Sequence, residues 1–186
     1  LKEGINTPLN LEMAAVDEMV KIALNTRPLQ VSIVPEKRQE VTTEGGLNVL
    51  AQEEHFTAVR EQVKQKEILF SLFIDPELDQ VEASKRVGAD SIELNTGLYS
   101  ELRNPKEAEK HLVKLREAAK QASNIGMRVF AGHGLNNHNV QAVASIPEVE
   151  ELNIGHHIIA RSIYIGMEQS VNEMLISIKK GINLRY

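Results

Sequence analysis

Several short apolar runs in the chain end on a carboxylate, an imidazole or a glycine. In order these ends carry Glu12, Pro35-Glu36, Asp75, Glu93, Gly132-His133-Gly134 and Gly155-His156. A carboxyl in a partly dry site has its pKa raised toward neutrality and can then exchange protons. An imidazole titrates near pH 7 without help. Glycines on both sides of His133 let a ligand approach the backbone closely. Glu12, Glu93 and His133 are therefore the candidates for acid–base work. Each also has a plainer reading: a hydrogen-bond acceptor between strands or a cap for the glutamates, a turn residue bonded to a carbonyl for His133. Asp75, followed by Pro76-Glu77, reads better as a helix N-cap than as a catalytic group.

Other chemistries find less support. His133, His138, His156 and His157 supply imidazoles, but no pair has i, i+4 spacing on an expected helix, so no metal site is expected. Neither a Walker A sequence nor G-x-G-x-x-G occurs. No lysine falls at an inward strand position, which argues against a Schiff-base aldolase. Cysteine is absent, which excludes disulfides and thiolate ligands.

The elements that would position these groups repeat. Apolar strand patterns cover residues 8–14, 29–34, 68–74, 91–95, 128–131 and 149–154. Helical spacing follows each. Val16, Met19, Val20 and Ala23 line one face, as do Leu112, Leu115, Ala119 and Ala122. Asn104-Pro105 is a cap-plus-proline start, and Gly88 and Gly126 are helix stops. A last helix is expected over about 162–178, ending in Lys179-Lys180-Gly181. One connection stands out. Residues 34–46, VPEKRQEVTTEGG, make a strand-to-helix loop about twice the usual length, rich in charge, threonine and glycine. Such a loop is an active-site lid or binding loop, or else disordered.

About six consecutive strand–helix units imply a parallel sheet. The strands then decide between architectures. Polar residues alternate with apolar ones: Asn10 and Glu12 with Leu9 and Leu11, Ser71 and Asp75 with Leu72 and Ile74, Glu93 and Asn95 with Ile92 and Leu94, Glu151 and Asn153 with Leu152 and Ile154. A doubly wound sheet is covered on both faces and reads as continuous apolar runs. A barrel has one face under helices and the other turned inward, toward a site at the C-terminal strand ends. The expected fold is thus a (β/α)8 TIM barrel, one domain over 1–186, with strands 3–8 represented and two units unaccounted for. If those two are N-terminal, Gly132–Gly134 and Gly155 fall in the loops after strands 7 and 8, the common phosphate site of this fold. His157 would sit outside the pocket.

The chain has 186 residues, 42% hydrophobic and 25% charged, with net charge -5. That is ordinary for a globular domain and gives no reason to expect nucleic acid or a membrane surface. No apolar run is long enough to cross a bilayer.

NLEMA (10–14), VPEKRQEVTTEGG (34–46), SLFID (71–75), IELNTG (92–97), AGHGL (131–135) and ELNIGHHIIAR (151–161) together resemble, in order and spacing, the pyridoxine 5′-phosphate synthase family. The resemblance covers nearly the whole chain. It implies a (β/α)8 barrel, assembly as a homo-octamer, a cytoplasmic location, and no metal or organic cofactor. The implied reaction condenses 1-deoxy-D-xylulose 5-phosphate with 3-amino-2-oxopropyl phosphate, giving pyridoxine 5′-phosphate, phosphate and water. Glu12 then matches a proton acceptor, His133 the proton donor, and Glu93 the carboxylate that stabilises the transition state. Thr42, Gly134, Gly155 and His156 match substrate-binding residues, and the resemblance makes the 34–46 loop a lid with Thr42 as a contact and Gly45-Gly46 as its hinge. The family's Asn-x-Asp-His first strand and its His-x-Arg-Glu-Asp-Arg-Arg-His segment have no counterpart here. Asn95 and Asn137 stand where the family usually has His and Tyr. Two other readings fit: a catalytically inactive truncated homologue serving as an assembly or regulatory subunit, and a different phosphate-binding barrel enzyme.

Overall fold

Strand–helix alternation runs the length of the chain in the computed structural model, which describes residues 2–35 and 45–185. Most of the long loop, and Thr42 with it, lies outside the described residues. The strands are β1 (Asn10–Met13), β2 (Gln30–Ile33), β3 (Leu69–Ile74), β4 (Ser91–Asn95), β5 (Arg128–Gly132) and β6 (Val149–Asn153). Among them stand α1 (Asp17–Thr26), α2 (Glu53–Lys64), α3 (Leu78–Val87), α4 (Gly97–Glu101), α5 (Pro105–Asn124) and α6 (Val140–Ala144), then α7 (His156–Ile165) and α8 (Met167–Ile182).

All neighbouring strands are parallel and lie in sequence order, β1-β2-β3-β4-β5-β6, the order of a sheet curling into a barrel. The sheet makes a curled half-barrel, with β1 and β6 at its edges among the described residues. Its two faces separate chemically, as the alternation requires. Val31, Ile33, Phe70, Leu72, Ile74, Ile92, Leu94, Val129 and Ala131 are buried in the layer that also takes Val20, Phe56, Val81, Leu115 and Val143 from the helices. The other face is inward and polar at its base. Asn10 and Gln30 both hydrogen-bond the Ser32 hydroxyl, at 3.0 and 3.3 Å, and Ser91 Oγ donates to Gln30 Oε1 at 3.4 Å.

Local signals behave as their chemistry dictates. Asn104 Oδ1 accepts from the Lys106 amide at 3.0 Å, and Pro105 opens α5. Gly88 ends α3 at φ 86°, a left-handed conformation open to glycine at little cost. The expected final helix is instead two. Gly166, at φ 84° and ψ 156°, breaks it, and α7 and α8 pack side by side with Ser170 Oγ donating to the Ile158 carbonyl at 2.8 Å.

Candidate active site at the strand ends

β4 and β5 carry the centre of the site. In register, Phe73, Glu93, Phe130 and Glu151 form one inward layer across β3 to β6, and Asn95, Gly132 and Asn153 form the next. Glu93 is 5% exposed. Burial pushes its carboxyl up from 4.5 to about 7; the Asn153 hydrogen bond opposes that, the Glu12 and Glu151 carboxylates add to it, and His133 works against it. Glu12 and His133, singled out from sequence, are therefore within electrostatic reach of Glu93 although they leave β1 and β5 respectively.

Asn153 Nδ2 donates to Glu93 Oε2 at 2.7 Å, from a strand that is not β4's neighbour. The contact spans β5 because Gly132 has no side chain there. A Cβ on Gly132 would lie 2.2 Å from Glu93 Oε1 and 3.0 Å from both Cβ and O of Asn153. Sequence reasoning missed this partnership. The signal was present: a glycine between two inward polar strand positions leaves a gap that their side chains can bridge.

β5 ends in a sharp turn. His133 has φ 80° and Gly134 φ 72°. Positive φ at a non-glycine residue costs of order 1–3 kcal/mol and persists where its surroundings enforce it. Here Thr96 Oγ1 donates to the carbonyls of Gly132 and His133 at 2.7 and 2.5 Å. The imidazole is exposed and meets Phe73 edge-on, with ring centroids 6.4 Å apart. Gly97 is tied to the same place, since a Cβ on it would come 2.9 Å from His133 Cδ2.

Asp75 is not an N-cap. α3 starts three residues later, after Glu77, and Asp75 shares the inward face of Ser71 and Phe73. Its Oδ1 accepts from the Gly46 amide at 3.0 Å and from Asn95 Nδ2 at 2.9 Å. It thus fastens the chain leaving the long loop to the end of β4. Gly46, expected to act as a hinge, is a packed position. A Cβ there would come within 2.3 Å of the Asp75 backbone nitrogen.

Gly155 caps α7 and His156 begins it, so the free amides of that helix N-terminus lie at the end of β6. A Cβ on Gly155 would meet nothing within 4 Å, and His156 is exposed. Gly134 is more constrained, with Ser100 Cβ 2.7 Å from where its own Cβ would be. His157 is half-buried, its Nε2 without a hydrogen-bond partner among the described residues, and burial lowers its pKa, with His138 and Arg161 adding to the effect. Asn137 is half-buried, and nothing described bonds its buried Oδ1. Among the described residues no three His, Asp or Glu side chains converge as a metal centre would require.

A parallel half-barrel with a buried carboxyl of raised pKa and an imidazole turn at its C-terminal strand ends has the layout of a β/α-barrel enzyme. Residues 1–180 match the family described as pyridoxal phosphate biosynthesis protein PdxJ. The pyridoxine 5′-phosphate synthase of Idiomarina loihiensis is 48% identical over 174 residues, 94% of this chain and 72% of that protein. That of Trichlorobacter lovleyi is 46% identical over 180 residues, 97% of this chain and 75% of that protein. The chain belongs to the PdxJ family. A solved structure, the Amycolatopsis orientalis BexX/CysO complex, shares the fold at TM-score 0.63 and 13% identity, over 89% of this chain and 61% of that one.

Proposed function

We propose that the chain acts as a pyridoxine 5′-phosphate synthase, condensing 1-deoxy-D-xylulose 5-phosphate with 3-amino-2-oxopropyl phosphate to pyridoxine 5′-phosphate, phosphate and water. One observation carries the reading: the Glu93 carboxyl, poised at about 7, with Glu12 and His133 in its field. An amine adds to a ketone, phosphate leaves and water is lost. Each step moves a proton, and a carboxyl half-protonated near neutral pH serves such steps best. Glu12 is the proton acceptor, His133 the donor, and Glu93 stabilises the charge that develops between them. Gly134, Gly155 and His156 bind the phosphorylated substrates, the last two through the N-terminus of α7. Thr42 is a further substrate contact.

The six strands correspond to strands 3–8 of a (β/α)8 barrel formed by one domain, and two more βα units complete it. The enzyme is a cytoplasmic homo-octamer, acts on small phosphorylated molecules, and uses neither metal nor organic cofactor. The test is turnover of the two substrates by this chain and by a form extended with the two units. The extended form makes pyridoxine 5′-phosphate, the present chain alone does not, and His133→Ala in the extended form lowers kcat at least about a hundredfold. Absence of product from the extended form would refute the assignment.

A further inference from the structure

Glu93 sits in an asymmetric setting. Its Oε2 is held by the Asn153 amide at 2.7 Å, while Oε1 lies over the bare backbone of Gly132. A carboxylate oxygen is an acceptor, and the Asn153 side-chain nitrogen meets it as a donor. Phe73 and Phe130 flank it in register on β3 and β5. The charged groups facing it are Glu12 from β1, Glu151 from β6 and His133 from the turn after β5. Two of those three are acids, which favour a protonated or displaced Glu93.

We propose that Asn153 is a positioning residue, holding Glu93 by one oxygen so that the other is presented over Gly132 to the substrate. Asn153 closes β6, and Gly155 opens α7 two residues on. The strand that grips the carboxyl is thus continuous with the helix N-terminus that would take a substrate phosphate. Seating the anion and aiming the carboxyl become one event. This deepens the proposed function and rests on it for the identity of the substrate.

The test is a carboxyl-carbon NMR titration of Glu93, assigned with Glu93→Gln, in the unsubstituted chain and in Asn153→Ala and Asn153→Asp. Circular dichroism confirms that each variant is folded. The expected midpoint is about 7 in the unsubstituted chain. Asn153→Ala loses the donor, and the proton affinity of Glu93 rises about tenfold. Asn153→Asp keeps the size but brings a third acid, and the affinity rises further. In the turning-over enzyme, kcat falls about tenfold while KM stays within about twofold, and the pH limb moves with the NMR midpoint. A merely structural asparagine would lower the melting temperature and leave both midpoint and limb in place. Unchanged midpoints in both folded variants would overturn the positioning role. The titration needs no turnover, so it is independent of the synthase assignment, whose failure shows as absence of product from the unsubstituted enzyme.

Discussion

Replacing Glu93 by glutamine should make the fold more stable at alkaline pH while disabling the site. The carboxyl is 5% exposed, and its pKa stands at about 7 against an ordinary 4.5. The native state therefore holds a proton over a pH range in which the unfolded chain has already released it. Below about 4.5 both states are protonated and there is no penalty. As pH rises toward 7, native stability is progressively lost, and above 7 the whole penalty is present. At about 1.4 kcal/mol for each pH interval between the two values, it amounts to roughly 3 kcal/mol. Glutamine has the same shape, keeps an oxygen for the Asn153 amide and carries no charge. In a chain of this length about 3 kcal/mol corresponds to roughly 6–12 °C in Tm. Thermal unfolding at about pH 4.5 should give nearly equal Tm for the two proteins, and at about pH 8.5 the glutamine variant should melt later by that margin. A difference of the same size at both pH values, or a more stable glutamate at the alkaline one, would refute the desolvation account.

Asp75→Ala leaves the Gly46 amide and Asn95 Nδ2 without their shared acceptor. It should cost about 2–3 kcal/mol in urea unfolding, with Asp75→Asn recovering most of it through the retained oxygen. Gly181→Ala would put a Cβ 2.3 Å from the Gln141 carbonyl oxygen and 2.7 Å from the Ala144 Cβ. Prising α8 from α6 should cost about 1–3 kcal/mol, read as a fall in Tm. Gly155→Ala meets open space. It should leave stability within about 0.5 kcal/mol yet raise KM in the turning-over enzyme, and a marked loss of stability would contradict the geometry.

The inward and outward faces were legible in the sequence because a strand has period two and a half-buried sheet must respect it. Glu12, Glu93, Asn95 and Asn153 all fall on the face that their alternation assigned. What sequence missed were features fixed by neighbours. The alternation already set Asp75 on the face of Ser71, but the cap-like composition of Asp75-Pro76-Glu77 outweighed it, and the Gly46 and Asn95 donors that Asp75 meets there have no signal in the sequence. The apolar period runs on through Gly166, so periodicity alone joined α7 to α8. Only the backbone angles of that glycine separate them. α4 has five residues, too few for a period to register. The Glu93–Asn153 bond joins residues 60 apart on strands that are not neighbours in the sheet. It becomes visible only when the register sets Gly132 between them.

Asn95 ties the end of β4 to the chain on either side of it. Its Nδ2 donates to Asp75 Oδ1 at 2.9 Å and its Oδ1 accepts from the Gly97 amide at 2.8 Å. These bonds link Gly46 through Asp75 and Asn95 to Gly97, the glycine packed against His133. Asn95 thus holds the turn beside Glu93 and His133, the residues to which the proposed function assigns the proton steps.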